Sequence, residues 1–226
     1  MLLKVSIVIP TLNEAENLKI VLPRIPKLKE IHEIILLDGH SIDDTIKVAK
    51  RILPDIKIVF QKGKGKGDAI NCAAQVVKGD YFLVLDSDGS QLPEEIPIYI
   101  DKAKEGFDLV KGSRFLPGAA VEEQDFLRNW IVKTANIVAN LCWGTRFTDI
   151  CYGMFLINTS KYKNLNISST GFNIEWELMR KASKNGLRII EIPSIEQNRV
   201  HGKSNINYFR DGWSIATTVF REALKR

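Results

Sequence analysis

The chain has 226 residues, of which 45% are hydrophobic and 26% are charged, and its formal net charge at pH 7 is +5. This length and composition are typical of a globular protein with a sizeable core and exclude a disordered polymer. No apolar run approaches the roughly 20 residues of a membrane span, and Leu2–Pro10 is too short for a signal peptide. The positive charge allows an anionic partner without identifying it, and no pattern indicates a nucleic-acid partner.

The cysteine content indicates a reducing compartment. Cys72, Cys142 and Cys151 form an odd, widely spaced set without the spacing of metal ligands. We therefore expect free thiols instead of a disulfide framework or a zinc site.

In chain order, the first half alternates short apolar runs with helical patterns, which predicts right-handed strand–helix–strand units and a mostly parallel sheet. The predicted strands are Val5–Ile9, Ile31–Asp38, Ile56–Phe60 and Asp80–Leu85. The predicted helices begin after Asn13 and at Asp43, and cover Gly67–Val77 and Pro93–Lys104. After Asp108–Val110 the sequence predicts a polar loop. The elements predicted beyond it are a helix near Leu127–Trp143, a strand near Tyr152–Ile157, a helix near Ile174–Asn185, a strand near Ile189–Ile192 and a last helix near Asn207–Arg226.

The apolar strand before Asp86 ends in two carboxylates one residue apart. Residues i and i+2 of an extended chain point the same way, so Asp86 and Asp88 can face one target together. Open α/β sheets bind ligands at the carboxyl ends of their strands. Mg²⁺ and Mn²⁺ are held by one or two carboxylates together with substrate phosphates. The pair predicts a metal–diphosphate site; the alternative is two solvated acids that begin a turn.

Two other strand ends carry polar residues of interest. Glu14, in the turn after the first strand, is placed to meet a ribose hydroxyl or simply to begin a helix. Lys62–Gly67 is a flexible cationic loop before a helix, suited to an anion but equally to a solvated turn. It matches neither a P-loop nor the dinucleotide-binding fingerprint.

Together these patterns resemble the family 2 inverting glycosyltransferases of the GT-A fold, and most closely the dolichyl-phosphate mannose synthase group. The similarity runs along nearly the whole chain and rests on several short motifs in the family's order. These are Pro10-Thr-Leu-Asn-Glu14, Leu37–Thr45, Gly63–Ala69, Gly79–Glu95, Gly112-Ser-Arg-Phe115, Thr148–Gly153 and Arg199–Ser204. The resemblance implies an α/β fold with a mostly parallel, Rossmann-like sheet flanked by helices, and with an amphipathic C-terminal helix.

The resemblance also implies a donor site. The nucleotide pocket would be lined by Pro10, Leu12, Glu14, Leu37 and Asp38. Asp86 and Asp88 would hold Mg²⁺ or Mn²⁺ against the donor diphosphate, with the Ser87 backbone nearby and Gln91 as a further metal-site residue.

The implied acceptor is a phosphate. Arg114 and Arg199 lie where the family has arginines at the donor and acceptor phosphates, Arg128 matches another acceptor arginine, and Asp149 matches an acid of the family. Guanidinium binds phosphate oxygens bidentately. A phosphomonoester, with a second pKa near ~6, is largely dianionic at pH 7 and attacks without a general base. Asp88, Arg114 and Arg199 are thus the implied catalytic residues of hexose transfer from a GDP-mannose or UDP-glucose type donor to a polyprenyl (dolichyl) phosphate.

The sequence departs from the family pattern at four places. Gly39 replaces a second acid, which leaves the donor base open, and Leu12 replaces an aromatic residue. The metal-site Gln falls one residue late, so Ser90 or Gln91 can fill its place. Asn205 replaces a lysine, for which Lys203 can substitute.

The last helix, Asn207–Arg226, bears on location. It places Trp213, Phe220 and other apolar residues at helical spacing, with basic residues elsewhere. Such a helix lies at an anionic bilayer surface or packs on its own domain. We expect a peripheral enzyme at the cytoplasmic face of the cell membrane, with a membrane-protein partner as the alternative anchor.

We expect one glycosyltransferase domain over residues 1–226, with a nucleotide-sugar-binding half (1–112), an acceptor half (113–206) and the C-terminal helix (207–226). Two other functions stay open at this point. One is a glycosyltransferase with a soluble acceptor, and the other is a nucleotide-sugar-binding module without turnover.

Overall fold

The computed structural model describes residues 2–122, 126–202 and 208–224, except for the side chains of 126–128 and 208–211. The strands are β1 (Val5–Thr11), β2 (Ile31–Asp38), β3 (Lys57–Phe60), β4 (Tyr81–Val84), β5 (Leu109–Ser113), β6 (Ala120–Val121), β7 (Phe155–Asn158), β8 (Ile189–Pro193) and β9 (Ile195–Glu196). The helices are α1 (Ala15–Arg24), α2 (Thr45–Ile52), α3 (Lys66–Val76), α4 (Ile96–Lys104), α5 (Phe126–Trp143), α6 (Thr159–Asn164), α7 (Ile174–Lys184) and α8 (Tyr208–Leu224).

Seven strands form one mixed sheet in the order β3-β2-β1-β4-β7-β5-β8. Every neighbouring pair is parallel except where β7 pairs antiparallel with β4 and β5. The predicted α/β fold with a mostly parallel sheet is confirmed. The sequence did not predict α6 or the small β6–β9 pair, and part of the helix predicted over Pro93–Lys104 is a 3₁₀ turn at Pro93–Glu95.

Helices cover both faces of the sheet, so its central strands are apolar on both sides. Ile7 and Ile9 pack on one face with residues of α1, α2 and α4. Val8 points to the opposite face, where α3, α5, α6, α7 and α8 supply the partners. All four residues of β4 are buried. Each large side chain so buried contributes about 1.5–3 kcal/mol to folding.

The strand order places a crevice between β1 and β4. The chain leaves β1 toward β2 on one side, whereas β4 begins the other half of the sheet. At such a switch point the loops after neighbouring strands separate and leave room for a ligand. The turns that carry Glu14 and Asp86–Asp88 both open into this crevice.

The glycines of the cationic loop have a packing role. A Cβ at Gly65 would lie 2.5 Å from the Thr170 carbonyl oxygen, and one at Gly67 would lie 2.5 Å from that of Ser169. The Asp68 N–H at the start of α3 donates to Thr170 O at 3.1 Å. This donor is therefore used within the chain, and the glycines allow two backbone segments to meet.

The C-terminal helix both packs on the domain and leaves apolar side chains exposed. Val219 is buried, and its carbonyl accepts from Trp143 Nε1 at 3.0 Å. Trp213 and Leu224 of the same helix are exposed. Within residues 2–122, 126–202 and 208–224, no helix has the length and apolarity that crossing a bilayer requires.

Candidate active site

A cavity of about 800 Å³ opens at the carboxyl edge of the sheet. One wall is polar and comes from the turns after β1 and β4 together with residues 196–199. The other wall is apolar and comes from α5 and α8. The polar residues that line the cavity include Glu14, Lys66, Asp86, Asp88, Gln91, Arg114, Glu175 and Arg199.

Asp88 lines the cavity, and both of its carboxylate oxygens have partners within the chain. Its Oδ1 accepts from the N–H and the Oγ of Ser90, at 3.0 and 2.7 Å. Its Oδ2 lies 3.4 Å from Arg199 Nη1, and its side chain is 23% exposed. Within the described part of the chain, no group of three or more His, Cys, Asp or Glu residues forms a metal site. A divalent cation at Asp88 would therefore have to take most of its ligands from substrate phosphates and water.

Asp86 is bound by its neighbours on both oxygens. Lys66 Nζ lies 2.7 Å from Oδ1, and Gln91 Nε2 donates to Oδ2 at 2.7 Å. The Asp86 N–H in turn donates to Gln91 Oε1 at 2.9 Å. The side-chain amide of Gln91 is therefore hydrogen-bonded to Asp86. Ser87 Oγ donates to the Pro10 carbonyl at 3.0 Å.

Lys66 also contacts a residue that sequence reasoning missed. Its ammonium lies 3.1 Å from Glu175 Oε1, in the first turn of α7. Burial alone would lower the pKa of Lys66, but the charges of Asp86 and Glu175 outweigh it and raise this pKa above its ordinary value. In the sequence, Glu175 is one of two acids in a helical first turn, a common pattern that does not indicate a site.

Arg199 ties the segment before α8 to the turn after β1. Its Nη2 forms an ion pair with Glu14, and its Nε donates to His201 O at 2.8 Å. Asn17 supports this contact, since it hydrogen-bonds to Glu14 and also exchanges hydrogen bonds with the His201 backbone at 2.9 and 3.1 Å. The predicted residues Glu14, Asp88 and Arg199 are therefore brought together.

Arg114 is the centre of a buried ion cluster. Its Nε and Nη2 donate to the two oxygens of Asp149 at 2.7 and 3.0 Å, and its Nη1 donates to Glu196 at 3.1 and 3.2 Å. Arg114 lines the cavity but is only 6% exposed. The guanidinium that the resemblance assigned to a phosphate is therefore paired with two carboxylates of the same chain.

Only some of the residues predicted for the nucleotide pocket line the cavity. Pro10, Leu12 and Glu14 line it, together with Gly39 and Gln61; the expected set did not include Gly39 or Gln61. The Leu37 side chain lies instead in the core, because alternation along β2 turns it to the face covered by α3. Asp38 is fully buried, and its Oδ2 accepts from the Ser41 N–H at 2.9 Å.

The apolar wall comes from two helices. Residues of α5 and α8 that line it include Trp130, Ile131, Val138, Ile215, Ala216 and Phe220. Arg128 belongs to α5, but its side chain lies outside the described residues, as do Lys203 and Asn205.

Burial, together with the charge of Asp149, raises the pKa of the nearby Cys151 thiol to about 11, so this cysteine stays protonated.

Comparison with known proteins identifies relatives that match most of the chain. Residues 6–165 match the family model described as Glycosyl transferase family 2. The chain is 31% identical over 212 residues to a dolichol-phosphate mannosyltransferase of Pyrococcus furiosus, covering 90% of this chain and 59% of that relative. It is 29% identical over 228 residues to a polyprenol monophosphomannose synthase of Mycolicibacterium smegmatis, covering 96% and 84%.

Solved structures share the fold. Glucosyl-3-phosphoglycerate synthase from Mycobacterium tuberculosis, in complex with Mn²⁺, UDP and glucosyl-3-phosphoglycerate, is similar with a TM-score of 0.77 at 20% identity. The match covers 98% of this chain and 80% of that chain. The same enzyme with Mg²⁺ and UDP gives a TM-score of 0.76 at 19% identity, covering 98% and 79%. The fold is of the GT-A type.

Proposed function

The chain belongs to glycosyl transferase family 2, and from this membership we propose that it transfers a hexose, with inversion, from a nucleotide-diphospho-sugar to a polyprenyl phosphate. The observation that carries the proposal is the shape of the cavity. Its carboxylates and Arg199 are continuous with an apolar wall from α5 and α8. A charged head group attached to a long apolar chain needs both surfaces side by side. The two relatives named for polyprenol and dolichol phosphate support this acceptor.

The donor diphosphate belongs at Asp88. We expect this carboxylate to bind Mg²⁺ or Mn²⁺, and the ion supplies positive charge to the diphosphate as it leaves. Asp86 and Gln91, the other residues of the predicted metal set, bind one another and line the same part of the cavity. The nucleoside would lie along Pro10, Leu12 and Glu14, beside Gly39 and Gln61.

The acceptor phosphate belongs near Arg199. As a dianion it is a nucleophile without a base, so the protein has to bind and orient it instead of deprotonating it. The Arg199 guanidinium reaches the carboxylate of Asp88 and is thus beside the diphosphate position. Arg128, by its place in the sequence of α5, is the second arginine that we assign to this phosphate.

The exposed apolar side chains of the same two helices suit a lipid boundary. Trp130, Ile137 and Leu141 of α5 are exposed, and so are Trp213, Phe220 and Leu224 of α8. Each set has the spacing i, i+7, i+11, which places its members on one side of a helix. We propose that this apolar surface lies on the cytoplasmic face of the membrane, where the acceptor is found, or on a membrane-protein partner.

The test is a transfer assay. Radiolabelled GDP-mannose, UDP-glucose and UDP-N-acetylglucosamine are each incubated with a short polyprenyl phosphate and Mn²⁺, and the lipid is extracted and counted. Asp88→Ala serves as the inactive control and Asp101→Ala, at an exposed position of α4, as the active one. Label in the lipid phase supports the proposal. Transfer to a small soluble phosphate such as 3-phosphoglycerate, with none to lipid, would favour a soluble acceptor.

A further inference from the structure

A buried lysine lies close behind the wall of the cavity. Lys111, in β5, is fully buried, and its Nζ has no hydrogen-bond partner among the described residues. Two aromatic rings are near it, since Nζ lies 5.9 Å from the ring centre of Tyr152 and 6.0 Å from that of Phe155. Tyr152 lines the cavity. The Lys111 ammonium is therefore next to the cavity wall but out of contact with any ligand.

The direction of the Lys111 side chain follows from its strand. Alternation along β5 places Lys111 on the same face as Leu109, where α3 and α7 pack. Its Nζ forms no hydrogen bond with a described group, so the charges around it act only through the protein interior. The titratable groups that face it are Lys66 of α3, Glu175 of α7, Asp149 and Cys151 of the segment before β7, and Glu191, its neighbour across the parallel pair of β5 with β8.

The cavity itself is poor in positive charge for a site that takes phosphates. Its described wall has five acids, Glu14, Asp86, Asp88, Glu175 and Glu196, and three bases, Lys66, Arg114 and Arg199. A diphosphate and a phosphate dianion add negative charge, of which one divalent cation offsets only a part. A positive charge inside the protein acts strongly on such ligands, because the interior screens charges less than water does.

We propose that the Lys111 ammonium, buried beside the cavity wall, is a fixed positive charge that strengthens the binding of the donor diphosphate. This inference rests on the proposed function for the identity of the ligand. Lys111 touches no ligand, so it acts through space and is not a catalytic residue. A buried ammonium without a partner weakens the fold. The same charge that lowers the free energy of unfolding thus raises the affinity for an anion.

The titration of Lys111 makes this contribution depend on pH. Burial lowers the pKa of Lys111 from 10.5 to about 8, although Glu175 and Asp149 oppose the shift. A bound diphosphate favours the charged ammonium, so it raises this pKa again, and the protein takes up protons as the ligand binds. Binding is therefore strongest below pH 8 and weakens as pH rises above 8, where the free protein loses the charge.

The experiment measures nucleotide affinity against pH. Titration calorimetry with Mg²⁺ gives the Kd of UDP and of GDP at pH 7, 8 and 9 for the wild type and for Lys111→Met. At pH 7 we expect the variant to bind the preferred nucleotide about 3- to 10-fold more weakly, and this ratio should shrink as pH rises to 9. The metal and the base titrate alike with both proteins, so the ratio isolates Lys111. Lys47→Met, at a side chain 67% exposed on α2, is the control and should match the wild type.

Proton uptake gives a second readout that needs no variant. Calorimetry of the wild type in buffers of different ionisation enthalpy counts the protons bound with the nucleotide. We expect about a quarter to a half of a proton between pH 8 and 8.5. Lys111→Met should lose this uptake. Lys111→Arg, which keeps its charge at each pH, should also lose it while binding as tightly as the wild type does at pH 7.

The other outcomes would overturn the proposal. A difference between wild type and Lys111→Met that is the same at every pH would mean that packing, and not charge, is responsible. Equal Kd values at every pH, or binding of nucleotide by the wild type without proton uptake, would show that the ammonium does not act on the ligand, while the proposed function would stand. If the wild type binds neither nucleotide, the proposed function itself fails, and the inference fails with it.

Discussion

Arg199 joins Asp88 to Glu14, two acids that follow different strands of the sheet. Its Nη1 lies 3.4 Å from Asp88 Oδ2, and its Nη2 pairs with Glu14. The guanidinium thus places positive charge beside the carboxylate to which we assign the metal. When a divalent cation neutralises the charge of Asp88, the ion pair between Asp88 and Arg199 weakens. The Arg199 guanidinium is then available to bind the phosphate of the acceptor. We therefore expect the metal and the acceptor phosphate to favour each other's binding.

Arg199→Ala should separate these two effects. We expect the KM for polyprenyl phosphate to rise about 10- to 100-fold, because a charge-assisted contact to phosphate is lost. The affinity for Mn²⁺ should be equal or higher, because a competing cation has left Asp88. Steady-state kinetics with varied acceptor, and Mn²⁺ titration in the presence of donor diphosphate, give the two values. Arg24→Ala, which removes a surface pair with Glu94, is the control. The assignment fails if Mn²⁺ binding weakens and the acceptor KM stays the same.

Asp88→Ala should abolish turnover while the fold remains. The carboxylate is partly exposed, so its loss leaves little buried charge unpaired. The charge that develops on the diphosphate would lose its counter-ion, which we expect to slow transfer by roughly three orders of magnitude. Thermal melting and the transfer assay are compared with those of Asp101→Ala. Wild-type rates in excess EDTA would contradict the metal assignment.

How far the sequence predicted this site depends on where each residue lies along the chain. Asp86, Asp88 and Glu14 follow apolar strands, and parallel strands bring their carboxyl ends together, so their proximity could be predicted. Glu175 could not be predicted, because α7 reaches the cavity through the packing of distant elements. Leu37 was placed in the pocket, whereas strand alternation turns it into the core. The partners of Arg114 likewise depend on the register of β5 beside β8 and on the pairing of β6 with β9.

Lys111 offers a prediction about stability and pH. It is fully buried, and its Nζ has no hydrogen-bond partner in the described part of the chain. Burial lowers its pKa from 10.5 to about 8, although Glu175 and Asp149 oppose this shift. The folded protein therefore binds fewer protons than the unfolded chain between about pH 8 and 10.5, so this group makes stability rise with pH across that window.

Lys111→Met should accordingly stabilise the protein, by up to about 3 kcal/mol at pH 7, where the penalty for burying the charge is complete. The gain should shrink as pH rises from 8 to 10.5. Urea unfolding at pH 7, 9 and 10.5 measures it, and Lys64→Met on the exposed loop is the control. A gain independent of pH would mean that packing, and not charge, is responsible.

Gly67→Ala should destabilise the junction between α3 and residues 169–170. The new methyl group would meet the Ser169 carbonyl oxygen at 2.5 Å and the Thr170 backbone within 2.9 Å, so one segment has to move. Overpacking of this kind costs about 1–3 kcal/mol. Gly212→Ala is the matched control, because a Cβ there meets no described atom within 4 Å and should stabilise α8 by up to about 1 kcal/mol. Equal stability of the two variants in urea would refute the packing role.

The apolar surface of α5 and α8 predicts binding to membranes. Trp213, Phe220 and Leu224 are 73%, 56% and 83% exposed, and Trp130 is 66% exposed. Burying such side chains in the interface adds to the roughly 1 kcal/mol that each basic residue gains near anionic lipid. Removal of α8 is a poor test, since it would uncover the buried partners of Val219.

Point substitutions on this surface are the better test of membrane binding. We expect the double variant Trp213→Ser with Leu224→Ser to sediment less with vesicles that contain anionic phospholipid than the wild type does. Binding of the wild type should also fall as salt rises, because screening weakens the charge contribution. Ile42→Ser, at a side chain 93% exposed on the loop between β2 and α2, is the control. If the double variant sediments as the wild type does, α8 is not the contact. If the wild-type chain ignores vesicles of every composition, that result favours a soluble acceptor or a membrane-protein partner instead of direct membrane binding.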